Sequence, residues 1–368
     1  MENYKKFGSF TMAYSIKKDP QFSHFPHEKG SIAYQDKFGV RIFVGDPFCH
    51  PCDAAAVINA FVKESRLLRR PLVGMQCSLE TARHFSNHGF DATHMGVETL
   101  ILNDWSIKGK NVGRRIRKAQ KRGLVISEAR WDSDPTLAQQ AMDISEAWRL
   151  TRKTKTPLNL LLREPTFRDE PDERTFFARL DGTLVGYVTF EAMYDQNRKI
   201  GWYANINRRD DSRNIAIFDA IVDEALGTFK AEPRFRVLSL GLAPMAGRHN
   251  EHGFSNRLVE RVSDLSYHYG NDGYNYKGIF QSKKGYWPKS FESNPNQVEV
   301  RDTYCITKGS IPLDPVAKAF MGVGILPEGL AHTAWFATRM TVSGMWREFR
   351  KTSHSNLVTF WKGLTASL

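Results

Sequence analysis

Hydrophobic residues gather first in two short β-prone runs, residues 31–35 and 40–44. The turn-like Asp36-Lys37-Phe38-Gly39 between them predicts a β-hairpin. Asp53 then caps a largely apolar stretch over 54–68, where Ala56, Ile58, Ala60, Phe61 and Leu67 predict a helix. A strand over 71–77, a short helix over 79–87 and a strand over 96–102 complete a first series. After a basic helix near 108–122, Asp134 and Pro135 supply an N-cap and a first-turn proline for a helix through Trp148. The polar, proline-containing residues 151–172 read as a loop-rich insertion. Strands are predicted over 174–180, 183–191 and 199–207, the first two separated by the Asp181-Gly182 turn. Residues 214–229 place Ile215, Phe218, Val222, Leu226 and Phe229 on one helical face. A buried strand over 237–242 and a helix over 255–269 follow.

Strand, strand, strand, helix, strand, helix in the second series is the core order of GNAT-type acyltransferases, and the first series reads as a degenerate copy. The expected fold class is therefore α/β (α+β): tandem GNAT-like domains over residues 1–125 and 126–325, with a helical C-terminal extension over 326–368. In that extension Trp335, Val342, Met345, Trp346 and Phe349 would share one stripe of a helix, flanked by Arg339, Arg347, Arg350 and Lys351. Such a helix packs on the protein itself or on a partner subunit, or lies in a membrane interface.

Charge narrows the choice of partners. Fifty-two Lys and Arg against 40 Asp and Glu give a net +12, which points to a polyanion, either nucleic acid or an anionic membrane surface. The chain has no run of about 18 apolar residues and no secretory leader, so a cytoplasmic protein, at most peripheral at the inner face of the membrane, is expected. Four cysteines in 368 residues do not make a disulfide framework.

Cys49-His50-Pro51-Cys52 lies between a strand and a helix, where a thiolate would be stabilised for redox chemistry. It directly follows Gly45-Asp46-Pro47, which another motif explains, and incidental cysteines are the simpler reading. No second Cys or His pair has ligand spacing, so no metal site is expected. Lys108, Lys110, Arg114, Arg115, Arg117, Lys118, Lys121 and Arg122 form a run without an acid, ended by Gly123 as a C-cap. Eight cations cover most of a helix circumference, more than a solvated face needs, and suit phosphate contacts. The junction from Arg208 to Asn214 contains no glycine, which disfavours the amide cradle that holds the pyrophosphate of coenzyme A. Arginines there can still hold phosphate, although an ordinary charged loop accounts for them equally well. Gly241-Leu242-Ala243-Pro244 ends a buried strand, a usual place for a ligand. Tyr274-Asn275-Tyr276-Lys277, with Lys283, Lys284 and Trp287 beyond, suits base stacking and phosphate contact, or an ordinary β-hairpin.

In order along the chain stand Gly45-Asp46-Pro47, Asn87-His88-Gly89-Phe90 with Gly96-Val97-Glu98, the basic stretch to Gly123, Gly241 to Pro244, and Tyr274 to Lys283. This series resembles the soluble catalytic domain of the bacterial phosphatidylglycerol lysyltransferase family over about residues 20–325. The resemblance implies a tandem GNAT fold that transfers an amino acid from tRNA to a lipid hydroxyl. It implies aminoacyl-tRNA and anionic membrane lipid as partners, and no cofactor beyond the tRNA co-substrate. Lys108, Lys110, Arg114, Arg115, Lys118 and Arg122 would then contact tRNA.

The family's Asp-Leu-Met-Arg strand end falls on Asn205-Ile206-Asn207-Arg208, so an amide replaces the acid that suits a substrate ammonium. The family's Phe-Lys-x-Lys-Phe element keeps Lys283, and its second lysine falls on Gly285. On this reading Arg208, Arg209, Lys277 and Lys283 hold phosphates and developing negative charge. Asn205, Asn207, Gly241, Ala243, Pro244 and Glu146 bind substrate, and Glu146 and Asp210 are general-base candidates by residue type. An acyl-CoA-dependent GNAT enzyme and a non-catalytic nucleic-acid- or membrane-binding protein are the alternatives.

Overall fold

The structure, a computed structural model, describes residues 2–107, 111–151, 163–247, 254–269, 274–309 and 313–322. The first series runs α1 (Glu2–Phe7), α2 (Ala13–Lys18), β1 (Ser23–His27), β2 (Gly30–Lys37), β3 (Val40–Val44), β4 (Phe48–Cys49), α3 (Ala54–Leu67), β5 (Leu72–Cys77), α4 (Leu79–Ser86) and β6 (Asp91–Leu102). The second runs α5 (Asn111–Lys121), β7 (Leu124–Glu128), α6 (Leu137–Thr151), β8 (Glu173–Leu180), β9 (Thr183–Asp195), β10 (Arg198–Arg209), α7 (Ile217–Lys230), β11 (Val237–Pro244), α8 (Arg257–Tyr269), α9 (Tyr276–Lys284), β12 (Val298–Thr307) and α10 (Leu313–Gly322).

All the strands join one sheet, in the order β1-β2-β3-β5-β12-β6-β11-β10-β9-β8-β7, with β4 beside β2. The two ends of this order repeat the same relations. β1, β2 and β3 are antiparallel neighbours and β3 runs parallel to β5. β8, β9 and β10 are antiparallel neighbours and β10 runs parallel to β11. The last strand of each series crosses to the other. β12 lies antiparallel between β5 and β6, and β6 pairs with β11. The fold is mixed α/β and GNAT-like.

Side chains alternate across the strands, so neighbouring residues feed different cores. Trp202 and Leu238 face α5 and α7, whereas Tyr203 and Val237 face α1 and α2. The latter core also takes Ile42, Val44, Val73 and Met75 from the first series, so the N-terminal helices pack under both halves of the sheet. On its other face the first series is covered by α3 and α4.

Several expectations change. The β-hairpin left open as the ordinary alternative for the Tyr274–Lys284 stretch does not form: residues 276–284 make α9, because the Asn275 side chain caps a helix by accepting from the Gly278 amide at 3.1 Å. On α5 the cations do not encircle the helix: Val112, Gly113, Ile116 and Ala119 are buried, and the charges share the exposed side. Its C-terminal glycine is as expected, Gly123 adopting φ +85°. The short α1 and α2 and the strands β1, β7 and β12 had no counterpart in the sequence reading. Cys49 is buried in β4 with its thiol pushed up to about 12 by burial, and Cys52 is exposed beside the His50 ring, so the Cys-x-x-Cys motif is not a matched redox pair. Among the described residues no group of His, Cys, Asp and Glu could hold a metal ion, and no helix is long and apolar enough to cross a membrane. Lys108, Lys110 and the expected extension over 326–368 lie outside the described residues.

Candidate functional site

β10 and β11 pair in parallel only over residues 201–203 with 237–239, although both strands run on. Beyond Ser239 the second strand keeps only its other neighbour, β6, with Leu242 opposite Glu98. The sheet therefore opens between the C-terminal ends of two parallel strands, the position where α/β folds accept ligands. Gly241 stands at this opening with φ +74°, and a Cβ on it would lie 2.8 Å from the Tyr203 ring, so no other residue fits without displacing Tyr203.

The N-terminal segment reaches across the opening. Thr11 Oγ1 donates to Glu98 Oε2 at 2.7 Å and lies 3.1 Å from Ser239 Oγ, which accepts from the Gly241 amide at 3.0 Å. Ser15 Oγ donates to Glu191 Oε2 at 2.6 Å, and Asn205 Nδ2 donates to both Ser15 Oγ and Glu191 Oε1 at 2.8 Å. Two buried carboxylates thus flank Tyr203. Burial raises both above the ordinary carboxylate range, against the pull of Gln76 and Thr11 on Glu98 and of Arg163, Ser15 and Asn205 on Glu191. Arg163 is itself shared among Glu191, Glu170 and Glu173.

One acceptor in this network is left over. Asn205 Oδ1 is buried with no hydrogen-bond partner. Asn207 Oδ1 is also unpartnered, but the bulge between Ala204 and Ile206 turns it to the opposite face, opposite Val188. An unpaired buried amide oxygen is costly, about 1–3 kcal/mol, and is suited to a ligand that brings a donor.

Lys283 completes the site. It donates from Nζ to the Leu242 carbonyl at 2.6 Å, so α9 and the Gly241–Pro244 turn meet as the sequence suggested. Burial lowers its ammonium to about 7, with Glu98 opposing the fall. A lysine so placed carries a neutral amine in a large share of molecules at physiological pH.

The other expected residues lie elsewhere in the structure. Arg208 is buried, its guanidinium 4.1 Å from the centre of the Trp148 ring, and it donates to the Asn207 carbonyl at 3.3 Å. Arg209 pairs with Asp211 at 2.7 Å. Lys277 is half-buried and donates to the His268 carbonyl at 3.2 Å, on a different face of α9 from Lys283. Glu146 and Asp210 are held below the usual carboxylate range, Glu146 by Arg149 and Asp210 by Ser212 and Arg213, which makes either a weak base. Arg115 is tied to Asp219 at 2.8 Å, Arg114 donates to the Asn111 side chain at 3.1 Å, Lys118 is exposed on α5 and Arg122 is exposed just past its end. Thr11, Ser15, Glu98, Glu191 and Tyr203 were not singled out as site residues from sequence. They come from five segments, and only Glu98 fell within a motif of the resemblance.

The family model for the C-terminal part of phosphatidylglycerol lysyltransferase matches residues 1–293. The chain belongs to this family. It is a transferase with the acyltransferase-type fold. Among solved structures it is similar to the C-terminal domain of a putative lysylphosphatidylglycerol synthetase from Agrobacterium fabrum, at 16% identity and TM-score 0.64, over 85% of this chain and 92% of that one. It is equally similar to L-PGS from Bacillus licheniformis, at 16% identity and TM-score 0.65, over 85% and 91% of the two chains. A conserved protein from Bacteroides thetaiotaomicron follows at 11% identity and TM-score 0.54, over 83% and 92%. No curated protein sequence matches the chain significantly.

Proposed function

We propose that the protein moves an amino acid from aminoacyl-tRNA to the hydroxyl of a phosphatidylglycerol-like lipid. The observation that carries this reading is the unpartnered Asn205 Oδ1, buried where β10 and β11 part. It suits an α-ammonium, which has three donors and no acceptor. The Glu191 carboxylate beside it does not compete for those donors, since its own oxygens accept from Ser15 and Asn205.

The ester on tRNA is already activated, so the chain's residues have to orient an acceptor and move one proton. The lipid hydroxyl oxygen attacks the ester carbonyl and its proton passes to Lys283 Nζ. The resulting ammonium then stabilises the oxyanion and returns the proton to the departing ribose oxygen. Lys283 near pH 7 has the affinity this exchange requires. Arg208 braces the β10 end between Trp148 and the Asn207 carbonyl. The exposed cations of α5 meet tRNA phosphates, and no cofactor is needed.

Acyl-CoA is the less suitable donor. At the β10–α7 junction the Asp210 carboxylate accepts from the Ser212 amide at 3.0 Å, occupying an amide a pyrophosphate would use, and Asp211 adds a second negative charge. The test supplies purified protein with a radiolabelled aminoacyl-tRNA pool and phosphatidylglycerol vesicles, and with acetyl-CoA in parallel. Label should move to the lipid fraction only from tRNA. Label remaining on tRNA while acetyl-CoA is consumed would overturn the proposal.

A further inference from the structure

We propose a second phosphate-binding site, remote from Lys283: a cleft of about 340 Å³ between the β9–β10 hairpin and the α7–β11 connection that takes the phosphodiester backbone of tRNA. This inference rests on the function proposed above. Arg198 lines one wall, Arg234 and Arg236 line the other, and Phe235 is buried beneath. The three arginines are exposed and form no ion pair among the described residues. Many surface arginines of this protein do pair with acids, as Arg130 does with Asp132, Arg149 with Glu146, Arg213 with Asp210 and Arg301 with Glu299.

More positive charge is brought to the same place by the fold. The amides of Gln196 and Asn197 at the hairpin tip donate to the Lys6 and Lys5 carbonyls, each at 2.9 Å, which seats the last turn of α1 beside the cleft. Lysines 5 and 6 are exposed, and Asp195 is the single acid in the cleft wall. Residues 5–6, 196–198 and 234–236 are far apart in sequence, so no basic run announces this site.

Three arginines gathered in a concave place with one acid beside them keep a net mutual repulsion, which a phosphate relieves. Guanidinium groups approaching from two walls offer paired N–H donors that match phosphate oxygens. The cleft favours RNA over a membrane for two reasons. None of the large hydrophobic residues exposed among the described residues lines it, so the apolar contribution that strengthens membrane binding is missing there. It also lies six residues upstream of Leu242 on β11, roughly 20 Å at strand spacing. A ligand with a chain of phosphates spans that distance to the Lys283 site, and one headgroup does not.

The experiment compares wild type with the triple variant R198A/R234A/R236A by filter binding of uncharged tRNA across a salt series, beside flotation with phosphatidylglycerol vesicles. The variant is expected to lose roughly tenfold or more in tRNA affinity near 0.15 M salt, and to flatten the log–log salt slope by about 2–3. In aminoacyl transfer its KM for tRNA should rise with kcat unchanged, and vesicle flotation should stay the same. If wild type binds tRNA and the variant binds with the same affinity and slope, the cleft proposal fails while the tRNA-dependent function stands. If the variant loses vesicles instead of tRNA, the cleft is a lipid-phosphate site and the proposal is overturned. If wild type binds no tRNA, the function proposed above fails and takes this inference with it.

Discussion

Where β3 and β5 run parallel, residues 41–44 pair with 72–75, and the Gly45 amide still bonds the Met75 carbonyl past the last pair at 2.9 Å. Where β10 and β11 run parallel, pairing stops after three residues. The first pair is closed by packing: the Phe43 ring lies against Gly74 and stacks on Phe85 at 4.7 Å. Its one charged residue, Arg41, is saturated by Asp36 and Glu64. The second pair is lined by an amide with an oxygen to spare, a lowered lysine and two raised carboxylates. The same architecture occurs twice, and polar demand is left unmet at the parallel pair of one copy. In the first copy the unpartnered amide is Gln35, on β2, one strand away from that pair. The first copy instead lends polar residues of its strands to the second, Gln76 and Glu98 meeting at 2.6 Å beside Leu242.

The largest effect that separates the two copies concerns stability. Phe43→Ala should cost about 3–5 kcal/mol in urea unfolding, as for other buried aromatics, and leave KM unchanged where the variant is folded. A raised KM with normal stability would mean that the closed copy also binds substrate. Lys283→Ala should lower kcat by roughly 10²–10³-fold with the fold intact. Since the neutral amine is the active form, wild-type kcat should climb with pH and level off above about 7, and the variant should lose that rise.

The lysine also affects stability. Unfolding lets it bind a proton that the folded state resists between about pH 7 and its ordinary value near 10.5, so its burial costs stability most at and below pH 7. Lys283→Met should therefore be more stable than wild type at pH 6, with the difference shrinking toward pH 10, as thermal melts would show. Asn205→Ala should raise KM for aminoacyl-tRNA about tenfold with a smaller change in kcat, in line with one or two lost hydrogen bonds. An unchanged KM would remove the ammonium site from between these strands. Glu98→Gln should have the smallest effect, moving the kinetic rise downward by less than about one pH unit, because Glu98 is the charge that lifts Lys283. A shift upward would contradict the pairing.

The second series could be read from sequence because its strands and α7 carry clear periodicity and turn residues, and the order of those elements is itself diagnostic. The first series was harder. β6 is buried along both faces over residues 92–101, so it shows no alternation, and α1 and α2 are six residues each, too short for a helical period. β12 follows an irregular stretch and carries charged residues at Glu299, Arg301 and Asp302, which hide its pairing with β6. At the site, Lys283 and the Gly241–Pro244 turn were legible because each belongs to a short local motif. Glu191, Thr11, Ser15 and Tyr203 were not, because what gathers them is the register of β9, β10 and β11 and the fold-back of the N-terminus, which no local spacing encodes. Glu146 and Asp210 drew notice as acids alone, and the structure gives each an arginine neighbour that accounts for it.

The exchange of β6 and β12 also sets the order of events in synthesis. When a ribosome has released the first series, β5 and β6 are present but not adjacent, because the slot between them awaits residues 298–307. Until those residues emerge, both strands keep bare edges of the kind that recruit other chains. The sheet is then closed by contacts spanning about 200 residues, which makes folding slow and dependent on the late arrival of a single segment. A ribosome stalled before residue 298 would leave an aggregation-prone chain, and neither half can be excised as a ready-made unit.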